Sequence, residues 1–157
     1  DRMAAAGVAS LVGIFSIIGR IGTGLLIDRF RASYVGALVF LLPIIACVLL
    51  MTSGTEAWAQ MSVAAVIGLT LGSEVDVIAF LAAKHFGLKN FGALYGALVM
   101  ALSLGTAFGP LAAGSVYDHA GSYTPFLTLA IALMASSAIA LWSLGHPPET
   151  VETAVHT

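Results

Sequence analysis

Apolar residues run along this chain in long blocks, separated by short breaks rich in charge, Gly and Pro. The blocks fall at about 3–27, 34–52, 57–83, 91–117 and 125–144. A helix of roughly 20 apolar residues crosses a hydrocarbon core about 30 Å thick, so each block predicts one span. Helices are required because backbone groups in lipid must find their partners within the segment. The period-two alternation of a transmembrane barrel strand is absent. Pro125 follows Ser122-Tyr123-Thr124 and marks a helix start, since a first-turn proline gives up no helical hydrogen bond. Pro43 and Pro110 fall inside blocks and predict static kinks, their freed carbonyls met by neighbouring helices or hydroxyls. The expected fold is an all-α polytopic membrane bundle, with residues 1–146 in the bundle and 147–157 a polar cytoplasmic tail.

Composition removes the soluble alternative. Hydrophobic residues are 59% of the chain and charged residues 9%, with a mean hydropathy of +1.01. A water-facing shell could not be built from so few polar residues. The few cations are unevenly placed. Arg29, Arg31, Lys84 and Lys89 fall in the first and third connections, whereas the second and fourth carry Glu56 and Asp118 without Lys or Arg. The positive-inside rule makes those basic connections cytoplasmic and places the C-terminal tail, "HPPETVETAVHT", on the same side. Trp58, Trp142, Tyr117 and Tyr123 then fall near headgroup level. Cys47 is alone, so no disulfide framework exists. The chain opens on Asp1-Arg2 without the charged, apolar and small-residue regions of a signal peptide, which predicts that the natural start lies upstream.

A repeat supports that expectation. Gly19, Gly24 and Asp28 on the first block match Gly109, Gly114 and Asp118 on the fourth, ninety positions later (109 − 19 = 90), and Ser-Tyr follows both, at Ser33-Tyr34 and Ser122-Tyr123. The first block runs inward and the fourth outward, which is the arrangement of inverted-topology repeats in secondary transporters. The third block then lacks a counterpart, and one helix is expected before Asp1. The bundle would be five-sixths of a three-plus-three half.

The chemistry lies in three intramembrane charges. Counting back from Asp28 at about 1.5 Å per residue puts Arg20 roughly 12 Å inside the boundary, close to the midplane. Such a charge costs about 2.5 to 3.5 kcal/mol on the insertion scale and calls for an anionic partner. Glu74 and Asp76, counted back from Lys84, sit at comparable depth, and two residues apart they point about 200° from each other. At most one of them faces Arg20 well. Gly13, Ser16, Thr23 and Gly24 surround Arg20 at helical spacing and predict a cavity wall. Arg20 is accordingly either the anchor of an anionic substrate, gripped by its planar fork, or half of a structural ion pair. One cation against two carboxylates also suggests that one carboxylate carries a proton, a coupling role for Glu74 or Asp76. Gly92, Gly96, Gly105, Gly109 and Gly114 on the fourth block, with Pro110 beside them, predict close helix packing. His85, His119, His146 and His156 are scattered, so neither a metal nor another cofactor is expected, and no basic-aromatic surface for nucleic acid is present. No His lies in a span to serve as the base of a membrane hydrolase, so no enzyme is expected.

With these residues in place, the chain resembles the C-terminal half of a Major Facilitator Superfamily transporter over its last five spans. "GTGLLIDRFR", with Gly24, Asp28 and Arg29, is similar to that superfamily's gating-loop motif, and Arg31 stands where the motif prefers glycine. The resemblance implies that Asp28 latches onto the start of a neighbouring helix, here near Asn90 to Gly92. "GALVMALSLGTAFGPLAAG" resembles the glycine-proline pattern of antiporters, with Ala113 in place of one glycine. "FGLKNFGALYG" and "DHAGSYTPF" resemble bacterial members near the oxalate/formate antiporters and the monocarboxylate transporters. Both groups imply a substrate-binding arginine at Arg20, and Ser16 and Tyr95 are assigned with it. Ser16 replaces the aspartate that monocarboxylate carriers place one turn earlier, and Leu98 replaces the lysine of oxalate carriers, which favours a monoanion over a dicarboxylate.

The expectation is therefore part of a secondary transporter for small organic anions, working by alternating access with H+ as a candidate coupling ion. It would sit as a multi-pass protein in a bacterial inner membrane and depend on the N-terminal half of the same polypeptide. The rival expectation is a non-transporting membrane scaffold in which Arg20 and Asp76 form a structural pair.

Overall fold

The computed structural model describes residues 2–53 and 56–144, the side chains of residues 2–5 and 88 excepted. The tail 147–157, with His146 before it, lies outside the described residues. Five helices follow one another: α1 (Arg2–Arg29), α2 (Ala32–Ser53), α3 (Ala57–Phe86), α4 (Leu88–Ala120) and α5 (Thr124–Ser143). All five are long and apolar enough to cross a membrane. The predicted blocks and the observed helices coincide within a few residues, because hydropathy marks the hydrocarbon while the helix itself continues into the headgroup layer.

That difference is largest between α3 and α4. A loop was expected from residue 84 to 90, but Gly87 is the single residue between the two helices. Its φ of 74° lies in the region that only glycine enters without strain, so the chain reverses there in one step. Gly121 ends α4 in a left-handed conformation, its N–H donating to the Tyr117 carbonyl. Pro125 stands in the first turn of α5, and α2 and α4 continue through Pro43 and Pro110.

The helices lie in the order α1, α3, α2, α5, with α3 between α1 and α2, and α2 between α3 and α5. The core between α2 and α3 is Val35, Val39, Val77 and Leu81, flanked by Ile27, Ala32 and Leu141. Gly36 makes room for it: a methyl group there would stand 2.9 Å from the Val77 side chain. α4 is different. It touches only α3 and, more sparsely, α5, and its spanning window has no buried residue.

Aromatic pairs mark both ends of α5. Tyr34 meets Trp142 and Tyr117 meets Tyr123, each with ring centroids 4.6 Å apart. Tyr123 and Trp142 are nineteen residues apart (142 − 123), about 28 Å of helix, which matches the thickness of the hydrocarbon core. Three of the four residues expected at headgroup level thus flank one hydrocarbon-length segment.

Candidate functional site

The site begins with the contact that fixes α1 against α3. The two helices run in the same direction and interlock along two rows: Val12 lies on Gly68 and Ser16 on Gly72, at an offset of 56 (68 − 12 = 72 − 16 = 56), while Gly19 meets Leu69 and Thr23 meets Ser73 at an offset of 50 (69 − 19 = 73 − 23 = 50). A Cβ at Gly68 would come 2.6 Å from the Val12 carbonyl oxygen. At Gly72 it would overlap the Ser16 carbonyl, and at Gly19 that of Leu69. Glycine is required at these positions by backbone meeting backbone, the way helices associate where no hydrophobic drive exists between them.

Two hydroxyls close the seam. Thr23 Oγ1 donates to Ser73 Oγ at 2.6 Å, and both residues are buried. The Ser73 hydroxyl in turn reaches the Leu69 carbonyl at 2.7 Å and the Gly19 carbonyl at 3.1 Å, sharing its one proton between the helices.

This seam divides the small-residue face that sequence reasoning treated as one cavity wall. Thr23 is sealed against α3, and half-buried Ser16 is held there by its backbone. Gly13, Arg20 and Gly24, at spacings of seven and four, form a second stripe about a quarter-turn away. Nothing approaches Gly13 or Gly24 within 4 Å, and Arg20 is exposed. The cavity-wall expectation is corrected for Thr23, because a hydroxyl at helical spacing serves a helix contact as readily as a solute.

The faces of α3 also separate the two carboxylates. Asp76 continues the Gly68, Gly72 stripe of α3 at four-residue steps, so it belongs to the α1 side. Glu74 shares the stripe of Thr70, Val77 and Leu81, which turns toward α2. Both carboxylates are half-buried. Among the described residues Arg20 forms no ion pair, with Asp76 or any other group.

Other expected residues are not brought to Arg20. Tyr95 is on α4, half-buried and stacked on Phe91 at 5.3 Å, and α1 and α4 share no contact. For the same reason the latch from Asp28 to the start of α4 is not made; α3 and the one-residue turn at Gly87 hold that helix end away. Asp28 and Arg29 are exposed at the end of α1, and nothing lies within 4 Å of Gly24. Gly92, Gly96, Gly105, Gly109 and Gly114 likewise have nothing within 4 Å, and Pro110 beside them is exposed. The close packing expected of the α4 glycines is therefore not made within the described residues; it is made by Gly19, Gly68 and Gly72 instead. Sequence reasoning missed Gly68 and Gly72, although "GLTLGS" at 68–73 carries the small-xxx-small spacing that signals a helix contact.

Comparison with known proteins gives one family. The profile of the Major Facilitator Superfamily matches residues 2–156, nearly the whole chain. No curated protein and no solved structure matches it.

Proposed function

The chain belongs to the Major Facilitator Superfamily, a family of secondary transporters rather than enzymes, and on that premise we propose that it carries small organic anions of the monocarboxylate type, with Arg20 as the substrate anchor. The observation that carries this reading is the placing of Arg20. Its guanidinium stands exposed on an open stripe of Gly13 and Gly24, one quarter-turn from the close backbone seam with α3. An exposed, positioned cation can offer both arms of its fork to a carboxylate. Asp76, on the α1 side of α3, is the counter-charge in the empty state, and a proton on Asp76 or Glu74 is the coupling event.

The rest of the machinery follows from the repeat. α1 and α4 hold equivalent places in it, and α1 packs through Gly19 on α3, which opens the second set of three. The equivalence assigns to the Gly109 face of α4, with Gly105, Pro110 and Gly114, the helix that opens the first set. Ser16 and Tyr95 are the further substrate contacts in this proposal, which an N-terminal half facing this one would complete. In this proposal the tail and the basic connections face the cytoplasm of a bacterial inner membrane.

The scaffold reading predicts an Arg20–Asp76 pair that is permanent. Uptake by the complete transporter separates the two. Arg20→Lys is expected to lower anion uptake by about ten-fold or more, through loss of charge-assisted paired hydrogen bonds, whereas Arg31→Lys leaves it near normal. Equal effects, or full uptake after exchanging the charges of Arg20 and Asp76, would remove Arg20 as a ligand.

A further inference from the structure

We propose that the crevice between α2 and α5 is a binding site for one anionic phospholipid, its acyl chain lying between the helices and its phosphate on Arg31. The crevice has a volume of about 260 Å³ and is lined by Ala37, Leu41, Ala135, Ala138, Ile139 and Trp142. Its floor is Ala37 and Ala138, which are 2% and 4% exposed; its walls, Leu41 and Ile139, are 43% and 69% exposed. Small residues below and large ones beside make a slot rather than the convex surface of an ordinary lipid-facing helix. No group in the slot can hydrogen-bond a solute except the Trp142 indole at one end, so an alkyl chain is the ligand it fits.

The mouth explains the headgroup. Ala37 is two residues past the first turn of α2, and Trp142 is next to the last residue of α5, so the slot opens at the end of the bundle where α1 joins α2. Tyr34 meets Trp142 there in a tilted pair with ring centroids 4.6 Å apart, an aromatic pair of the kind that settles at headgroup level. Arg31 lies over the Tyr34 ring at 5.6 Å and donates an N–H to the Tyr34 hydroxyl at 3.3 Å. One arm of the guanidinium is thereby engaged, and Arg31 is exposed, its remaining N–H groups without another partner among the described residues. A cation anchored over an aromatic pair, at the mouth of an apolar slot, complements a phosphate joined to an acyl chain. The proposal is independent of what the protein carries.

Trp142 supplies its own probe. In the full chain carrying Trp58→Phe, reconstituted in phosphatidylcholine vesicles, Trp142 fluorescence would be titrated with phosphatidylglycerol or phosphatidylcholine brominated on the acyl chains. The expected result is a preference of about five-fold for the anionic lipid, the size of one basic contact near a membrane surface. Arg31→Gln should abolish the preference, while Lys89→Gln, an exposed cation at the same end, should leave it. Ala135→Leu, which fills the slot at a half-buried position, should reduce quenching by both lipids. Equal quenching by the two lipids in the unmodified chain would overturn the proposal. So would equal losses in Arg31→Gln and Lys89→Gln, which would reduce the effect to general surface charge.

Discussion

α1 and α4 are written in nearly the same language, yet the fold treats them oppositely. Both are long, apolar and studded with glycine, and Gly19 and Gly109 hold equivalent positions in the repeat. Gly19 lies against the Leu69 backbone with no room for a methyl group, whereas nothing approaches Gly109 within 4 Å. A glycine stripe gives a helix the capacity to be approached closely. Whether anything approaches is decided by another helix, and here Gly68, Gly72 and Ser73 of α3 supply the matching surface for α1 alone.

The contrast can be broken most sharply at Gly72. Gly72→Leu forces a side chain into the Ser16 carbonyl, and we expect a loss of about 3 kcal/mol or more, read as a lowered midpoint in unfolding titrations of the purified chain in detergent. An unchanged midpoint would mean that the α1–α3 seam is not closed. Gly19→Ala adds a single methyl at the same seam and should cost about 2 kcal/mol in that assay, against near neutrality for Gly24→Ala on the open stripe of the same helix.

Thr23→Val keeps shape but removes the hydroxyl that donates to Ser73, and about 1 kcal/mol should be lost, the usual worth of an interhelical hydrogen bond in a membrane. Ser73→Ala in the same background should then add little, since the two share one contact. The smallest effect belongs to α4. Gly109→Leu should move the midpoint of this chain by less than about 0.5 kcal/mol, because the added side chain meets open space. In the complete transporter the same change should impair assembly if a further helix packs there, and a large effect in this chain alone would show that the two glycine stripes are not different after all.

Much of this architecture was readable in the residues. Five spans and the helix start at Pro125 follow from where the chain is apolar and where a first-turn proline is tolerated. The turn at Gly87 was expected to be longer because Lys84, Lys89 and Asn90 look like loop residues; a helix emerging from the core carries such residues into the headgroup layer without ending. Which carboxylate turns toward Arg20 was not legible. That depended on which face of α3 meets α1, which places Asp76 on the α1 side and Glu74 toward α2. Ser16 and Thr23 likewise could have lined a cavity or a contact, as both uses ask for small hydroxylic residues at the same spacing.

By itself, the sequence determined the spans. A backbone in hydrocarbon must satisfy its hydrogen bonds within the segment, so a long apolar run has one solution, and that solution is local. The tertiary structure decided which faces meet. Lipid and leucine are equally apolar, so helices are drawn together only by close backbone packing and a few hydroxyl contacts. Those exist only between two surfaces: Gly72 has its meaning from Ser16, Ser73 from Thr23, and the open stripe of Arg20 from everything that packs beside it and not upon it.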